Sequence, residues 1–358
     1  MRVLVVPGTG IQPQHGGQGS FCRYLAEGLV EIGHSVEIAG EDGWTEFCKK
    51  SAIALRRPEE ALGRKDDIDL VHVNGPGIRQ AIQGLLRGYK VFLTHQDHRY
   101  ICPATTAWTP RGCPENASCG PCAYCPNRGL QSRVHLRMLR MVAARCWNVA
   151  VSSYLLGRLA LRNGHAILSP IRTEDGSTTQ QHGLVGFAGR LVPEKGVEIL
   201  LRAISKLPDV RLEIAGEGPL LPRLRELSLE LGIAPHVNFL GYQSADKVKE
   251  LYRRSSVICI PSVWQEPYGY AAAEALALGR GLIVSDRGAL PELVGTDRGW
   301  ICRAEDPDHW ATTIARALAD EEDRKRRVLN ATCFVNAELS PLRVAQRYAK
   351  LYESALRE

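Results

Sequence analysis

The stretch IPSVWQEPYGYAAAEALALG, residues 260–279, predicts a strand end, a short loop and a helix in that order. The apolar run 257–260 is typical of a buried parallel strand, and Pro261 ends that strand. Residues 270–278 are rich in Ala and Leu, which are strong helix formers, and Gly279 stands where glycine commonly ends a helix. Because the helix begins beyond the carboxyl end of the strand, its N-terminus is a ready site for an anion.

Two glutamates in this stretch are candidate ligand-binding groups. Glu266 lies in the loop, and Glu274 lies one turn inside the helix. We expect the Glu266 side chain and the N–H groups of residues 268–271 to share the crevice beyond the strand. Because the run 271–277 is almost wholly apolar, this helix is expected to be buried, and a carboxylate there is costly unless a partner uses it. The alternative is that Glu274 is an ordinary solvated helix residue.

The length and charge of the chain limit its class. With 358 residues, it is long enough for about two domains. The net charge of +6 suits an anionic ligand, but the basic residues are too dispersed to indicate nucleic acid. The chain enters a strand directly at its N-terminus, and no apolar run approaches the ~20 residues of a membrane span. We therefore expect no secretory signal and a cytoplasmic location.

Strand and helix patterns alternate along the chain, which predicts parallel sheets covered by helices on both faces. Residues 1–169 are expected to form an N-terminal Rossmann-like domain, and the polar, aperiodic segment 170–183 a linker. Residues 184–340 repeat the alternation as a second Rossmann-like domain, and the amphipathic helix 341–358 is expected to cross back to the first. The prediction is an α/β protein of two doubly wound domains that face each other across a cleft.

Two features of the N-terminal half are candidate site elements. The loop 7–19 after the first strand contains five glycines, among them Gly16 and Gly17, which let the backbone approach a ligand. Their spacing does not match the tight turn of a dinucleotide fold, and the alternative is a flexible surface loop. His95 directly follows the strand 90–94, at the strand end that faces the ligand crevice of an open sheet. A lone histidine is more often structural, but this position favours a catalytic one.

A cysteine-rich insert, residues 99–130, interrupts the alternation. It holds five of the eleven cysteines, and Cys119, Cys122 and Cys125 form a C-x-x-C-x-x-C run. In a cytosolic chain this pattern indicates metal before disulfides. We predict one structural zinc ion held by Cys113, Cys119, Cys122 and Cys125, with Cys102 as the alternative ligand. An iron–sulfur cluster, free thiols and disulfides are the competing interpretations.

The helix predicted over residues 131–146 carries a basic stripe. Its arginines stand at i, i+4 and i+7 opposite four apolar residues: Arg133, Arg137 and Arg140 against Val134, Met138, Met141 and Val142. Such a stripe suits an anionic acceptor or a membrane surface, but a solvated helix face is the more common reason for it.

Taken together, these motifs resemble those of the retaining glycosyltransferases of family 4, which have the GT-B fold. Glu266 and Glu274 have the family's E-x(7)-E spacing, and residues 189–196 look like its G-R-x-x-x-x-K-G motif. The remaining matches are residues 216–219, 237–241 and 289–293, the glycines Gly16 and Gly17, and Thr94-His95. The resemblance covers nearly the whole chain, whereas the cysteine-rich insert lies outside the family's minimum pattern.

The resemblance implies a retaining hexosyltransferase that moves a sugar from a nucleotide-diphosphate sugar, UDP-sugar above all, to an acceptor hydroxyl group. Arg190 and Lys195 would bind the diphosphate and neutralise its charge as it leaves. Glu274 would accept hydrogen bonds from the ribose, Glu266 would hold the sugar, and His95 would lie near the anomeric carbon. The implied donor-binding set is Gly16, Gly17, Gly189, Arg190, Lys195, Gly216, Glu266, Tyr268, Gly269, Tyr270 and Glu274.

The same resemblance implies no catalytic metal ion, because Arg190 and Lys195 supply the positive charge. The acceptor is a small natural product, a glycan or a lipid, and peripheral membrane contact is expected only with a lipid acceptor. Two other functions remain as alternatives: a GT-B sugar-nucleotide epimerase, and a zinc-stapled binding module without enzymatic activity. A nucleic-acid partner is not expected, because the basic residues are dispersed and stacking aromatic residues are few.

Overall fold

The structure is a computed structural model, and it falls into two units, each described separately. Unit 1 holds the described residues up to Arg172 and Ala337–Glu358, and unit 2 holds those within Thr173–Asn336. The structure describes residues 1–8, 10–13, 16–58, 62, 68–75, 77–102, 130–174, 176 and 180–358.

The strands of the described chain are β1 Arg2–Val6, β2 Ser35–Ala39, β3 Ala54–Arg56, β4 Leu70–Asn74, β5 Lys90–His95, β6 Trp147–Ala150, β7 Gly164–Ala166, β8 Gln181–Ala188, β9 Arg211–Ala215, β10 Val237–Gly241, β11 Ser255–Ile260, β12 Gly281–Ser285 and β13 Trp300–Cys302. The helices are α1 Gly16–Glu31, α2 Thr45–Lys50, α3 Ile78–Leu86, α4 Leu130–Ala143, α5 Ser153–Leu159, α6 Val197–Ile204, α7 Leu221–Glu230, α8 Ala245–Arg254, α9 Tyr270–Ala277, α10 Leu290–Val294, α11 Pro307–Ala319, α12 Glu321–Phe334 and α13 Pro341–Arg357.

Each unit contains one parallel sheet, which confirms the predicted pair of α/β domains. The strand order among the described residues is β3-β2-β1-β4-β5-β6-β7 in unit 1 and β10-β9-β8-β11-β12-β13 in unit 2. Each order reverses beside the first strand of its unit, between β1 and β4 and between β8 and β11. Ligands of open α/β sheets bind at the carboxyl ends of the strands that flank such a reversal. In unit 2, the loops after β8 and β11 are therefore expected to bind a ligand.

The segment 255–279 has the predicted strand–loop–helix form. All six residues of β11 are buried, because the sheet is covered on both faces. Burial of side chains such as Val257, Ile258 and Ile260 stabilises the fold by roughly 1.5–3 kcal/mol each. The helix α9 ends at Ala277, and Gly279 has the positive φ of 63° that favours glycine after a helix. These local signals position Glu266 and Glu274 around the carboxyl end of β11.

The last helix, α13, packs against α1 within unit 1. A Cβ atom at Gly28 of α1 would lie 2.3 Å from the carbonyl oxygen of Pro341, so only glycine permits this approach. Tyr352 OH lies 2.5 Å from His72 Nδ1, and Tyr348 OH lies 3.1 Å from Thr94 Oγ1. Burial lowers the pKa of His72 to about 3, so this network contains a neutral imidazole. The C-terminal helix is thus bonded to the strands β4 and β5.

Two elements differ from the sequence predictions. The strand β8 begins at Gln181 rather than at residue 184, because polar residues of the expected linker extend the strand. Gln181 pairs with Ser255 of β11, and its carbonyl group accepts a hydrogen bond from Ser256 Oγ at 2.9 Å. In α4, Leu139 and Ala143 are buried, whereas the apolar residues expected opposite the arginines include three exposed ones: Val134, Met138 and Met141. No helix among the described residues combines the length and apolar character needed to cross a membrane.

Candidate functional site

The loop after β8 carries the predicted basic motif and lies against the loop after β11. Gly196 has a φ of 68°, and a Cβ atom there would lie 1.9 Å from the carbonyl oxygen of Pro261. The Val263 N–H group donates to the carbonyl of Glu194 at 3.0 Å. Glycine is therefore required at position 196, because any side chain would separate the two loops.

Lys195 and Glu266 meet at this junction, although they are 71 residues apart in the sequence. Lys195 Nζ lies 2.6 Å from Glu266 Oε1, and Ser262 Oγ donates to the same oxygen at 2.8 Å. Lys195 Nζ also lies 5.1 Å from the centre of the Trp264 ring, within the range of a cation–π contact. Only 6% of Glu266 is exposed, so these charges meet where water screens them weakly. Ser262 and Trp264 were not predicted as site residues.

Arg190 occupies a more exposed position than Lys195. Its side chain is 66% exposed, and Nη2 lies 3.4 Å from Glu194 Oε1. An exposed ion pair of this kind contributes about 0–1 kcal/mol to stability. The guanidinium group is therefore only weakly held by Glu194 and is able to turn toward an anionic ligand.

Two close backbone approaches fix the loops around this cluster. Gly216 has a φ of 146°, and a Cβ atom there would lie 1.9 Å from the carbonyl oxygen of Gly189. On the other side, a Cβ atom at Gly288 would lie 2.2 Å from the carbonyl oxygen of Glu266, to which the Ala289 N–H group donates at 2.8 Å. The structure thus gives Gly189 and Gly216 a packing role within the basic loop, and it fixes the backbone of Glu266.

The helix α9 begins at the same edge of the sheet. Gly269 has a φ of 95° and precedes the first helical residue, Tyr270. The ring of Tyr270 contacts that of the buried Tyr268, with ring centres 4.9 Å apart. The N-terminus of α9, where backbone N–H groups point out of the helix, therefore lies within a few residues of Glu266.

Glu274 is a half-buried carboxyl group on α9. Burial raises its pKa to about 7, with Lys249 opposing this rise and the neighbouring Glu174 adding to it. Lys249 Nζ pairs with Glu174 Oε1 at 2.6 Å. Within the described part of the chain, the Glu274 side chain has no hydrogen-bond partner, although the helix around it is buried as predicted. This carboxyl group is therefore available to a ligand.

In unit 1, His95 stands at the carboxyl end of β5, as the sequence predicts. It is 2% exposed, and its Nε2 atom lies 2.9 Å from Asn148 Oδ1 on β6. Burial lowers the pKa of His95 to about 4, against the opposing effects of the Asn148 hydrogen bond and Asp97. The imidazole is therefore neutral at neutral pH, which suits a hydrogen-bonding role better than that of a general acid.

Gly16 and Gly17 form the start of α1, beyond the carboxyl end of β1. Gly16 has a φ of 68° and is exposed, with nothing within 4 Å of a Cβ atom built there. Gly19, one turn later, is the glycine that packing requires, because a Cβ atom there would lie 1.9 Å from the carbonyl oxygen of Gln12. The open surface at Gly16 is compatible with close approach of a ligand to the backbone.

A polar pocket lies at the carboxyl ends of β1 and β2 in unit 1. Its volume is about 560 Å³, and its charged lining residues are Glu41, Asp42, Arg57 and Arg79. No ion pair engages Arg57 or Arg79 among the described residues. The pocket therefore offers a ligand hydrogen-bond acceptors and two arginines that form no ion pair with any described residue.

The predicted zinc ligands Cys113, Cys119, Cys122 and Cys125 lie outside the described residues. The alternative ligand, Cys102, lies within the described residues, and its thiol is buried and free. Its backbone N–H group donates to the carbonyl of His98 at 2.7 Å. Elsewhere in the described chain, no cluster of three or more His, Cys, Asp or Glu residues is arranged to hold a metal ion.

Comparison with known proteins concerns mainly unit 2. Residues 174–332 match the family model described as glycosyl transferases group 1. An uncharacterized glycosyltransferase of Methanocaldococcus jannaschii is 35% identical over 177 residues, which are 48% of this chain and 45% of that protein. A D-inositol 3-phosphate glycosyltransferase of Mycolicibacterium gilvum is 39% identical over 142 residues, 38% of this chain and 32% of that protein. The matches thus span less than half the length of these curated relatives.

Solved structures resemble the chain over almost its whole length. Anabaena HepE in complex with UDP has a TM-score of 0.76 at 18% identity, covering 99% of this chain and 100% of that one. Sucrose-phosphate synthase of Thermosynechococcus elongatus has a TM-score of 0.72 at 19% identity, with 99% of each chain covered. At such identities the likeness concerns the fold alone.

Proposed function

We propose, since residues 174–332 match the group 1 glycosyl transferases and the chain has the GT-B fold, that it transfers a sugar from a nucleotide-diphosphate sugar to an acceptor hydroxyl group. The observation that carries the proposal is the meeting of Lys195 and Glu266 at the reversal of strand order between β8 and β11. A cation beside a carboxylate at that edge suits a ligand that carries both phosphate and sugar hydroxyl groups.

In the proposed site, Lys195 and Arg190 bind the diphosphate. The leaving diphosphate becomes more negative in the transition state, so fixed cations lower the barrier to its departure. When a phosphate group binds Lys195, the Glu266 carboxylate is released to accept hydrogen bonds from the transferred sugar. The N–H groups of residues 268–271 at the start of α9 support the same sugar, and the backbone at Gly16 and Gly17 approaches the donor.

We propose retention of the anomeric configuration. The bond from the anomeric carbon to the phosphate oxygen breaks as the bond to the acceptor oxygen forms on the same face of the sugar. The proton of the acceptor hydroxyl group passes to an oxygen of the leaving phosphate, so that charge and atoms balance. The family resemblance implies a histidine near the anomeric carbon, and we propose that His95 takes this role as a neutral hydrogen-bonding group.

The proposed donor is a UDP-sugar, and HepE structures containing UDP and UDP-glucose support the choice of uridine. The test measures slow hydrolysis of UDP-, GDP- and ADP-sugars by the purified protein, followed by transfer to candidate acceptors. We expect release of nucleoside diphosphate with one donor class. We also expect an NMR coupling constant that shows the donor's anomeric configuration in the product. An inverted product excludes the retaining mechanism, and interconversion of donor sugars without transfer identifies an epimerase.

We propose that the polar pocket of unit 1 receives the acceptor. Arg57 and Arg79 suit an anionic group on that acceptor, while Glu41 and Asp42 suit its hydroxyl groups. The relative whose name specifies D-inositol 3-phosphate offers one acceptor of this chemistry, a phosphorylated polyol. The screen should therefore compare a polyol phosphate with the same polyol lacking phosphate, and equal use of both contradicts an anion-binding acceptor site.

Glu274 is proposed to accept hydrogen bonds from the ribose hydroxyl groups, which predicts pH-dependent donor binding. With its pKa raised to about 7, the carboxyl group becomes fully ionised only above neutral pH. Hydrogen bonds to a charged acceptor are stronger by ~1 kcal/mol, so UDP affinity should rise roughly fivefold from about pH 6 to about pH 8. Calorimetric titration of UDP across this range measures the effect.

The control for Glu274 removes the contribution of the phosphate group's own titration. Glu274→Gln should bind UDP more weakly. Its UDP affinity should also lose the part of the pH dependence that ionisation of Glu274 causes. Glu250→Gln, an exposed glutamate on α8 paired with Lys247, should keep the wild-type profile. Identical pH profiles for wild type and Glu274→Gln would exclude Glu274 from ribose recognition.

The remaining proposal is a structural zinc ion in the cysteine-rich insert, held by Cys113, Cys119, Cys122 and Cys125 or with Cys102 as a substitute. Four thiolates at this spacing suit zinc, and the binding energy would order the insert. Elemental analysis should find about one zinc ion per chain. Because Arg190 and Lys195 supply the charge at the diphosphate, transfer should survive EDTA in a short assay. Iron with sulfide would indicate a cluster instead, and disulfides without metal would refute the zinc site.

A further inference from the structure

We propose that Asn148 is a positioning residue that holds the His95 ring with its proton on Nε2 and leaves Nδ1 as an acceptor for a substrate hydroxyl group. This inference rests on the proposed part of His95 in sugar transfer. The two residues lie on neighbouring parallel strands, where the register pairs His95 with Ala150. Asn148 and Ala150 share one face of β6 because they are two residues apart, so the Asn148 side chain reaches His95 diagonally.

The orientation of the Asn148 amide is set by three backbone carbonyls. Its Nδ2 atom lies 2.9 Å from the oxygen of Ala143, 3.1 Å from that of Cys146 and 3.1 Å from that of Arg162. Only the NH₂ end of the amide satisfies carbonyl oxygens, and a flipped amide would set Oδ1 against all three. The oxygen of Asn148 therefore faces His95.

This orientation decides the tautomer of His95. Asn148 Oδ1 only accepts hydrogen bonds, so the ring nitrogen 2.9 Å away, Nε2, must carry the proton. In the neutral ring Nδ1 then has an unprotonated lone pair. The edge of the Tyr100 ring packs against the imidazole, with ring centres 4.4 Å apart and planes at 89°, so the ring is held against rotation.

Nδ1 of His95 is buried and has no hydrogen-bond partner among the described residues. A buried acceptor without a partner costs about 1–3 kcal/mol. A hydroxyl group of a bound sugar satisfies this atom when the packing around the ring moves aside. The charged groups that act on the pKa of the ring are Asp97 and Arg99, which pair with each other and have opposite effects on it.

The first measurement determines the tautomer of His95 in the wild-type protein. The chain has ten histidines, so ¹⁵N-histidine NMR spectra are compared with those of His95→Ala to assign the His95 signals. At neutral pH, we expect a protonated Nε2 and an unprotonated Nδ1. A ring protonated on Nδ1, or an equal mixture of tautomers, overturns the proposal.

The second measurement compares two substitutions at position 148. Asn148→Ala should lower kcat/KM for transfer by at least about 10-fold without changing UDP affinity, because the ring loses its orienting partner. Asn148→Asp keeps an oxygen facing Nε2 and adds a negative charge, which raises the pKa of His95. It should therefore retain more activity than Asn148→Ala and move the acid limb of the pH profile to higher pH. Its second oxygen replaces the NH₂ group beside the three carbonyls, so the Tm of this variant is measured beside its activity.

A matched control separates positioning from general loss of stability. Ser152 is buried after β6, and its side chain accepts from the Leu155 N–H group at the start of α5. Ser152→Ala should lower the Tm, as loss of a helix cap does, yet keep kcat/KM within about threefold. Equal activity losses in Ser152→Ala and Asn148→Ala at matched stability overturn the positioning role. If the Nε2–H tautomer is found but His95→Ala still transfers sugar, the proposed function of His95 fails while the tautomer assignment stands.

Discussion

Lys195→Ala is expected to lower kcat by about 100-fold or more while the protein remains folded. Lys195 Nζ lies 2.6 Å from Glu266 Oε1 in a largely dry junction between two loops, where a cation acts strongly on a developing negative charge. Its removal takes away the charge stabilisation that we propose for the departing diphosphate. Arg190→Ala is expected to have a comparable effect, because the weak pairing with Glu194 leaves its guanidinium group free to bind the same phosphates. Steady-state kinetics with the identified donor measure both variants.

Loss of Lys195 also leaves the buried Glu266 carboxylate with only the Ser262 hydroxyl group as a described partner. An uncompensated buried charge is itself destabilising, so the double variant Lys195→Ala/Glu266→Gln separates this effect from the loss of the cation. Recovery of folding stability without recovery of kcat supports the catalytic role. Lys206→Ala, an exposed lysine paired with Asp308 in the same unit, is the matched control and should stay within threefold of wild type. Near-normal turnover in both Lys195→Ala and Arg190→Ala would reject the proposed donor site.

The elements around β11 and α9 were predictable because their signals are local. An unbroken apolar run, a proline, an Ala-rich helix and a closing glycine all fall within 257–279, and each acts within a few residues. The two parallel-sheet units with the GT-B fold were predictable for the same reason, and the structure confirms them. The spacing of Glu266 and Glu274 is likewise a property of one short segment.

Contacts between distant segments were not predictable in the same way. The approach of Lys195 to Glu266 depends on β8 and β11 being neighbours, which follows from the sheet order rather than from either loop. Ser262 and Trp264 gain their contacts from that approach, and the only available signal was their position just after a buried strand. Asn148 was missed because an asparagine at the second residue of a short strand has many ordinary explanations. The contact of Asn148 with His95 becomes visible only in the register of β5 and β6.

The second large effect is expected for His95→Ala, which should abolish measurable transfer while leaving UDP binding nearly intact. His95 belongs to unit 1, whereas the loop proposed to bind the phosphates belongs to unit 2, so the substitution leaves the residues proposed to hold the nucleotide unchanged. The imidazole is neutral, since burial lowers its pKa to about 4, and the variant removes an acceptor proposed to serve the reacting sugar. Transfer and donor hydrolysis are measured by product formation, and UDP affinity by calorimetry.

The variant also leaves Asn148 Oδ1 without its partner, which costs about 1–3 kcal/mol of stability, so the Tm must be measured beside activity. His165→Ala is the matched control, because His165 lies on β7 of the same sheet with its side chain exposed. That control should keep both transfer and UDP affinity, since an exposed imidazole on β7 has no proposed contact with substrate. Loss of UDP affinity in His95→Ala would place His95 in the donor site or the folding core, and retained transfer would remove it from the reaction altogether.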